Sequence, residues 1–146
     1  MIAKNNPFNI RWSKHNLWLG LEGSTKGFCN FVDLEHGIRA GMKLLLNYVY
    51  KKDIWTVEDL VSRYAPRSEN DTSSYIRFVS DSLRSNGFNP YDLRSAFLLE
   101  YDKKFFYLCK AIMKIETGYV FTYLDFIRIV KMFNLKKELY GFPVNR

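Results

Sequence analysis

The sequence predicts a mainly helical fold with an irregular, aromatic N-terminal segment, on three observations. Apolar residues recur at helical spacing in successive blocks after residue 33. A residue suited to capping a helix N-terminus stands before most of these blocks: Asp33, Thr56, Asp71 and Thr122. Residues 1–32, in contrast, are rich in Asn, Gly and Trp and carry no such period. The chain has 146 residues, which fits one domain over 1–146, and it shows no repeat, low-complexity tract or linker.

The first segment reads N-N-P-F-N-I-R-W and then W-L-G-L-E-G-S-T-K-G-F, which predicts turns and a short hairpin between Trp18 and Phe31. After Asp33, Leu34, Ile38, Gly41, Leu45, Tyr48 and Val49 share one helical face. Gly37 and Gly41 lie on adjacent turns of that helix and weaken it; close approach of another element would offset the loss. Thr56 opens T-V-E-D, a variant capping box with Asp59, before a short helix to about Tyr64 that Pro66 stops. Asp71 caps a helix over roughly 72–85 with Tyr75, Ile76, Val79 and Leu83 as its stripe, and N-G-F-N-P-Y-D is turn chemistry. The longest helix is expected from Ser95 to Glu116, with Gly118 past its end. Thr122 caps the last, Tyr123 to Phe133.

The composition is 47% hydrophobic, 25% charged and 17% aromatic, so a packed core is expected and disorder is not. No apolar run reaches the ~20 residues of a membrane span. The start, M-I-A-K-N-N-P, has no apolar signal-peptide core, so action outside the cytoplasm would need another route, from the bacterial cytoplasm or within a virion. The net charge of +7 favours an anionic partner: nucleic acid, acidic lipid or a cell-wall polymer. No nucleic-acid module pattern appears, and the basic residues are spread along the chain. Cys29 and Cys109 read as reduced, buried thiols, and with His15 and His36 they are too scattered for a zinc signature. No cofactor motif is present.

The most specific signal is a carboxylate. On the 95–116 helix, Phe105, Leu108, Cys109 and Ile112 form one stripe, with Lys103, Lys104, Lys110 and Lys114 expected on the opposite, solvated side. Glu116 projects into the apolar stripe one turn beyond Ile112, at the helix C-terminus. Burial and the helix dipole would both favour its neutral acid form there, as a glycosidic general acid requires. If the helix ended a turn early, Glu116 would instead stand in solvent. The R-S-E-N-D-T stretch offers Glu69 and Asp71 as second carboxylates and Asn70 as a substrate donor; its plainer reading is a loop and helix cap. Glu22 is a weaker candidate. Trp12, Trp18, Tyr64 and Tyr75 could stack on sugar rings or bases, or fill the core.

Three stretches together resemble a family of small phage and prophage proteins. These are N-N-P-F-N-I-R at 5–11 followed by Trp18 and Gly20; G-F-x-x-F at 27–31 with G-I-R-A at 37–40; and A-P-R-S-E-N-D-T-S-S-Y-I at 65–76. The late helix ending A-I-M-K-I-E-T-G, 111–118, is similar to that family's A-I-x-x-x-E-N-G. That family in turn resembles the lysozyme-like superfamily, especially bacterial glucosaminidases, which carry a catalytic Glu at a helix end ahead of an N-L-F-G-I-K segment. Here the order is reversed, as a circular permutation would produce. Thr117 replaces the usual Asn or Ser after the Glu, and Phe8 the usual Gly of the turn.

The resemblance implies a lysozyme-like helical domain that cleaves peptidoglycan as a muramidase, glucosaminidase or lytic transglycosylase. Glu116 would protonate the glycosidic oxygen, Glu69 or Asp71 would activate water or stabilise positive charge, and Asn9, Arg11, Trp18, Asn70 and Tyr75 would line the groove. A transglycosylase would need Glu116 alone. With two carboxylates, a separation of about 5–5.5 Å would imply retention and about 6.5–9.5 Å inversion. The alternative is a non-catalytic virion or wall-binding protein. Partners would be glycan strands and other virion proteins.

Overall fold

The computed structural model describes residues 1–65, 71–94 and 98–136, with the side chains of 98–102 left aside. A two-stranded antiparallel hairpin, β1 (Leu21–Thr25) and β2 (Phe28–Phe31), is followed by α1 (Leu34–Lys51), α2 (Val57–Tyr64), α3 (Thr72–Ser85), α4 (Leu98–Thr117) and α5 (Tyr123–Met132). The fold is thus mainly helical, with the expected hairpin. Lys26 and Gly27 both take positive φ (52° and 85°), which closes the hairpin with a two-residue turn whose twist suits antiparallel strands.

The capping residues do what their chemistry dictates. Side chains of Asp33, Thr56, Asp71 and Thr122 accept from the backbone N–H of His36, Asp59, Ser74 and Asp125, each supplying a partner to an otherwise orphaned donor. Gly118, at φ 74°, follows the last turn of α4 and donates its N–H to the Lys114 carbonyl at 3.0 Å. Helix α4 therefore includes Glu116 in its last turn. The predicted start at Ser95, the stop at Pro66 and the tail beyond residue 136 lie outside the described residues.

The N-terminal segment runs beside β2 and continues the hairpin's hydrogen bonding. Phe31 N donates to Lys4 O (2.9 Å), Cys29 N to Ile10 O (2.9 Å) and Trp12 N to Gly27 O (2.8 Å). It then crosses α1 at the two helical glycines. A Cβ at Gly37 would sit 1.8 Å from the Asn5 carbonyl oxygen, and one at Gly41 only 1.9 Å from Cδ2 of Phe8. Phe8 is fully buried. The glycines are thus explained by the chain that lies on them, and the weakening of the helix is offset by the burial of an aromatic ring.

Helix α3 packs on both α2 and α4. Helix α4 is buried more widely than one stripe: Phe105, Phe106, Leu108, Cys109, Ala111, Ile112 and Met113 all lie in the core. Phe106 meets Phe121, Tyr123 and Phe126 at ring-centroid distances of 5.7, 5.2 and 5.7 Å. This wide burial corrects the expectation of a solvated lysine face. Lys103 and Lys114 are exposed, but Lys104 is buried and its Nζ donates to the Asp92 carbonyl at 2.8 Å. Lys110 is half-buried and donates to the Phe121 carbonyl at 3.0 Å. Long aliphatic stems let both cover apolar surface while the ammonium finds backbone oxygen. Cys29 and Cys109 are both free and buried; burial raises both thiol pKa values.

Candidate active-site groove

The N-N-P-F-N turn is built by its three asparagines. Asn6 is buried, its Nδ2 donating to the carbonyls of Ile10 and Cys29 (both 3.0 Å) and its Oδ1 accepting from Ile10 N (2.9 Å). Asn5 Nδ2 donates to Phe31 O at 3.0 Å. Asn5 and Asn9 both hold φ at 58°, a left-handed conformation that asparagine tolerates better than most residues. With Asn6 as the hub, the turn projects the Asn9 side chain away from the core.

Asn9 Nδ2 reaches the Oε1 of Glu116 at 3.3 Å, across 107 residues of sequence. The other carboxylate oxygen, Oε2, accepts from the Tyr75 hydroxyl of α3 at 2.9 Å. The next residue along α4 reinforces the junction: the Thr117 hydroxyl donates to Pro7 O at 2.8 Å and lies 3.3 Å from the Met113 carbonyl. From α2, the Tyr64 hydroxyl donates to the Phe8 carbonyl, one peptide before Asn9. Burial is the main cause holding the Tyr64 and Tyr75 phenols well above their ordinary pKa, and the neighbouring Glu116 charge adds to it. Both hydroxyls therefore keep their protons and act as donors.

Glu116 is half-buried and faces a groove of about 510 Å³. Its lining comes from the N-terminal segment (Asn9, Arg11, Trp12, Trp18), from α1 (Leu44, Tyr48) and from α2 (Arg63, Tyr64). Trp12 is exposed, and Trp18 is half-buried with its indole Nε1 shielded from solvent and without a hydrogen-bond partner among the described residues. Two guanidiniums lie over aromatic rings on this surface: Arg11 Cζ is 4.9 Å from the Phe28 centroid and Arg63 Cζ is 5.4 Å from that of Tyr48. Glu116 is the one carboxylate among the described lining residues.

Of the residues singled out by sequence, Glu116, Asn9, Arg11, Trp18 and Tyr75 come together here, Tyr75 through its hydroxyl. Glu69 and Asn70 lie outside the described residues. Asp71 does not line the groove among the described residues; its exposed carboxylate accepts from Ser74 N at 3.2 Å and Ser74 Oγ at 2.9 Å. Those bonds, the Ser74 hydroxyl first, lower its pKa below the ordinary 3.8. The structure gives Asp71 the capping role. Glu22 pairs with Lys4 at 3.1 Å on the hairpin surface. Sequence reading missed Arg63, Tyr48 and Leu44 as groove residues. Tyr48 and Leu44 are four apart on one side of α1, a signal indistinguishable from core periodicity. Asn6 was hidden within its motif. Among the described residues, no three His, Cys, Asp or Glu side chains gather as metal ligands, and no helix is long and apolar enough to cross a membrane.

No family model matches the chain. It is 36% identical over 89 residues to Protein P5 of Pseudoalteromonas phage PM2. That alignment takes in 55% of this chain and 52% of Protein P5, so the chain spans about half the length of this curated relative. The similarity supports a phage origin.

Proposed function

We propose that this phage-related chain is a peptidoglycan-cleaving glycosidase whose acid is Glu116. The observation that carries the reading is the meeting of three distant segments at one carboxylate. Asn9 of the N-P-F-N-I-R turn and Tyr75 of α3 each hydrogen-bond an oxygen of Glu116 at the end of α4, beside an aromatic groove. Such adjacency is what a permuted lysozyme-like site needs, because its two motifs lie at opposite ends of the sequence yet must share one bond of substrate. Bonds on both oxygens fix the plane of the carboxyl and stabilise the carboxylate that remains once its proton has passed to the glycosidic oxygen.

In this reading an aminosugar chain lies along the groove, with sugar faces against Trp12 or Trp18. The Glu116 carboxyl gives its proton to the glycosidic oxygen as the bond from that oxygen to C1 breaks. The positive charge left on C1 and the ring oxygen is met by the resulting carboxylate. The sugar's own C6 hydroxyl can then close on C1 and return its proton to Glu116, so one carboxylate suffices. A water attacking C1 would instead yield a reducing end.

Release of soluble fragments from purified peptidoglycan tests the reading. Glu116→Gln should lower the rate by at least about a hundredfold while the variant still unfolds cooperatively; undiminished release by the variant would overturn it. A second reading, a wall-binding protein without hydrolysis, is favoured by the engagement of both Glu116 oxygens within the protein. It is distinguished by retention on insoluble peptidoglycan with no loss of turbidity.

A further inference from the structure

We infer that residues 14–19 form a docking loop for an anionic lipid surface, inserted through Leu17 and Leu19 and steered by Lys14 and Lys26. Two turns shape the loop: Asn16 N donates to Ser13 O at 3.2 Å, and Leu21 N to Trp18 O at 3.1 Å. Leu17 lies between these turns and is 82% exposed, and Leu19 is 53% exposed. Trp18, between the two leucines, packs against the core and anchors the loop. Just before the loop, Trp12 N donates to Gly27 O at 2.8 Å, which ties this segment to the hairpin turn that carries Lys26. Lys14 and Lys26 are both exposed. Residues 1–32 hold four Lys or Arg side chains against one carboxylate, Glu22, which pairs with Lys4 at 3.1 Å. Charge and exposed leucines together decide among anionic partners. Nucleic acid or a wall polymer would attract the lysines but gain nothing from leucine side chains held in water. A protein partner would need a pocket shaped for each leucine. The interfacial region of a bilayer offers phosphate charge and apolar depth at one place, and a loop tip with two leucines beside lysines draws on both. Asn16 and Trp18 of the same loop line the Glu116 groove, so docking would hold that groove close to the bilayer. The lipid contact does not depend on what the groove cleaves.

The test is sedimentation of the full chain with unilamellar vesicles, either of phosphatidylcholine mixed with phosphatidylglycerol or of phosphatidylcholine alone. The chain should partition onto the anionic vesicles at least about fivefold more strongly than onto the neutral ones, and added salt should narrow the difference. Leu17→Ser combined with Leu19→Ser should reduce partition onto the anionic vesicles at least about tenfold, and Lys14→Gln should reduce it about fivefold. Both leucines are exposed, so the melting temperature of the double variant should hold. Leu124→Ser is the control: Leu124 of α5 is also 82% exposed but lies outside the loop, and its replacement should leave partition unchanged. A native chain that stays in the supernatant with anionic vesicles would overturn the inference. So would undiminished partition of the leucine double variant, an equal loss from Leu124→Ser, or equal binding to both kinds of vesicle. A native dimer that the double variant abolishes, with no vesicle binding by either, would give the leucines to a second copy of the chain instead. None of these outcomes bears on fragment release from lipid-free peptidoglycan, so the lipid contact and the glycosidase reading fail separately.

Discussion

At the residue scale, the contacts that present Glu116 differ in kind. Tyr75 is buried and gives the shorter bond; Asn9 gives a longer one from a strained backbone position; Thr117 and Tyr64 act on the turn rather than on the carboxylate. Tyr75→Phe keeps the ring in the core and removes only the hydroxyl donor. Hydrogen bonds to charged groups contribute about 1.5–3 kcal/mol, so the variant should lose roughly ten- to a hundredfold in fragment release, with KM nearly unchanged. Steady-state rates against melting temperature check this: a loss of activity matched by gross unfolding would assign Tyr75 to the core alone. Glu116 was legible at this scale because a carboxylate breaks an apolar stripe. Tyr75 was legible only as one of several aromatics, since nothing in the sequence separates a ring that fills space from one whose hydroxyl reaches another helix. Lys104 shows the converse, a charge whose spacing pointed to solvent but whose ammonium is satisfied by a loop carbonyl.

At the scale of elements, caps and turns were readable from local chemistry, and α1, α2, α3 and α5 begin at the residues their caps indicate. What crosses α1 was not readable: paired glycines announce a close approach but not the segment that makes it. Gly41→Ala would force a methyl group into the Phe8 ring. Overpacking of this sort costs typically about 1–3 kcal/mol. Thermal unfolding should show that loss, and fragment release should fall further than stability alone accounts for, because the Phe8–Asn9 turn moves with the ring. Unchanged stability would mean that the turn does not rest on α1 as described. Asp71 supplies the pH prediction at this scale. Its folded-state pKa is depressed below 3.8, so the stability its charged form adds is complete above that value and disappears as pH falls through the lower folded one. Asp71→Asn retains a capping oxygen and should flatten that part of the acid unfolding curve while leaving fragment release near neutrality intact. A large loss of activity with an unchanged acid curve would return Asp71 to the site as a second carboxylate.

At the scale of the whole molecule, the helical class followed from periodicity, but the groove did not, because its walls come from the N-terminal segment, α1, α2 and α4. Only a likeness of motifs placed residues 5–11 and 111–118 in one site, and hydrogen bonds now join them. The net charge of +7 says that an anionic partner is favoured. Whether this one carboxyl group cleaves glycosidic bonds is read from mass spectrometry of the soluble products from purified sacculi treated in parallel with the native chain and with Glu116→Gln. Sugar fragments cut between successive aminosugars are expected from the native chain and none above background from the variant. The same fragments from both, or none from the native chain, would exclude Glu116 as the acid.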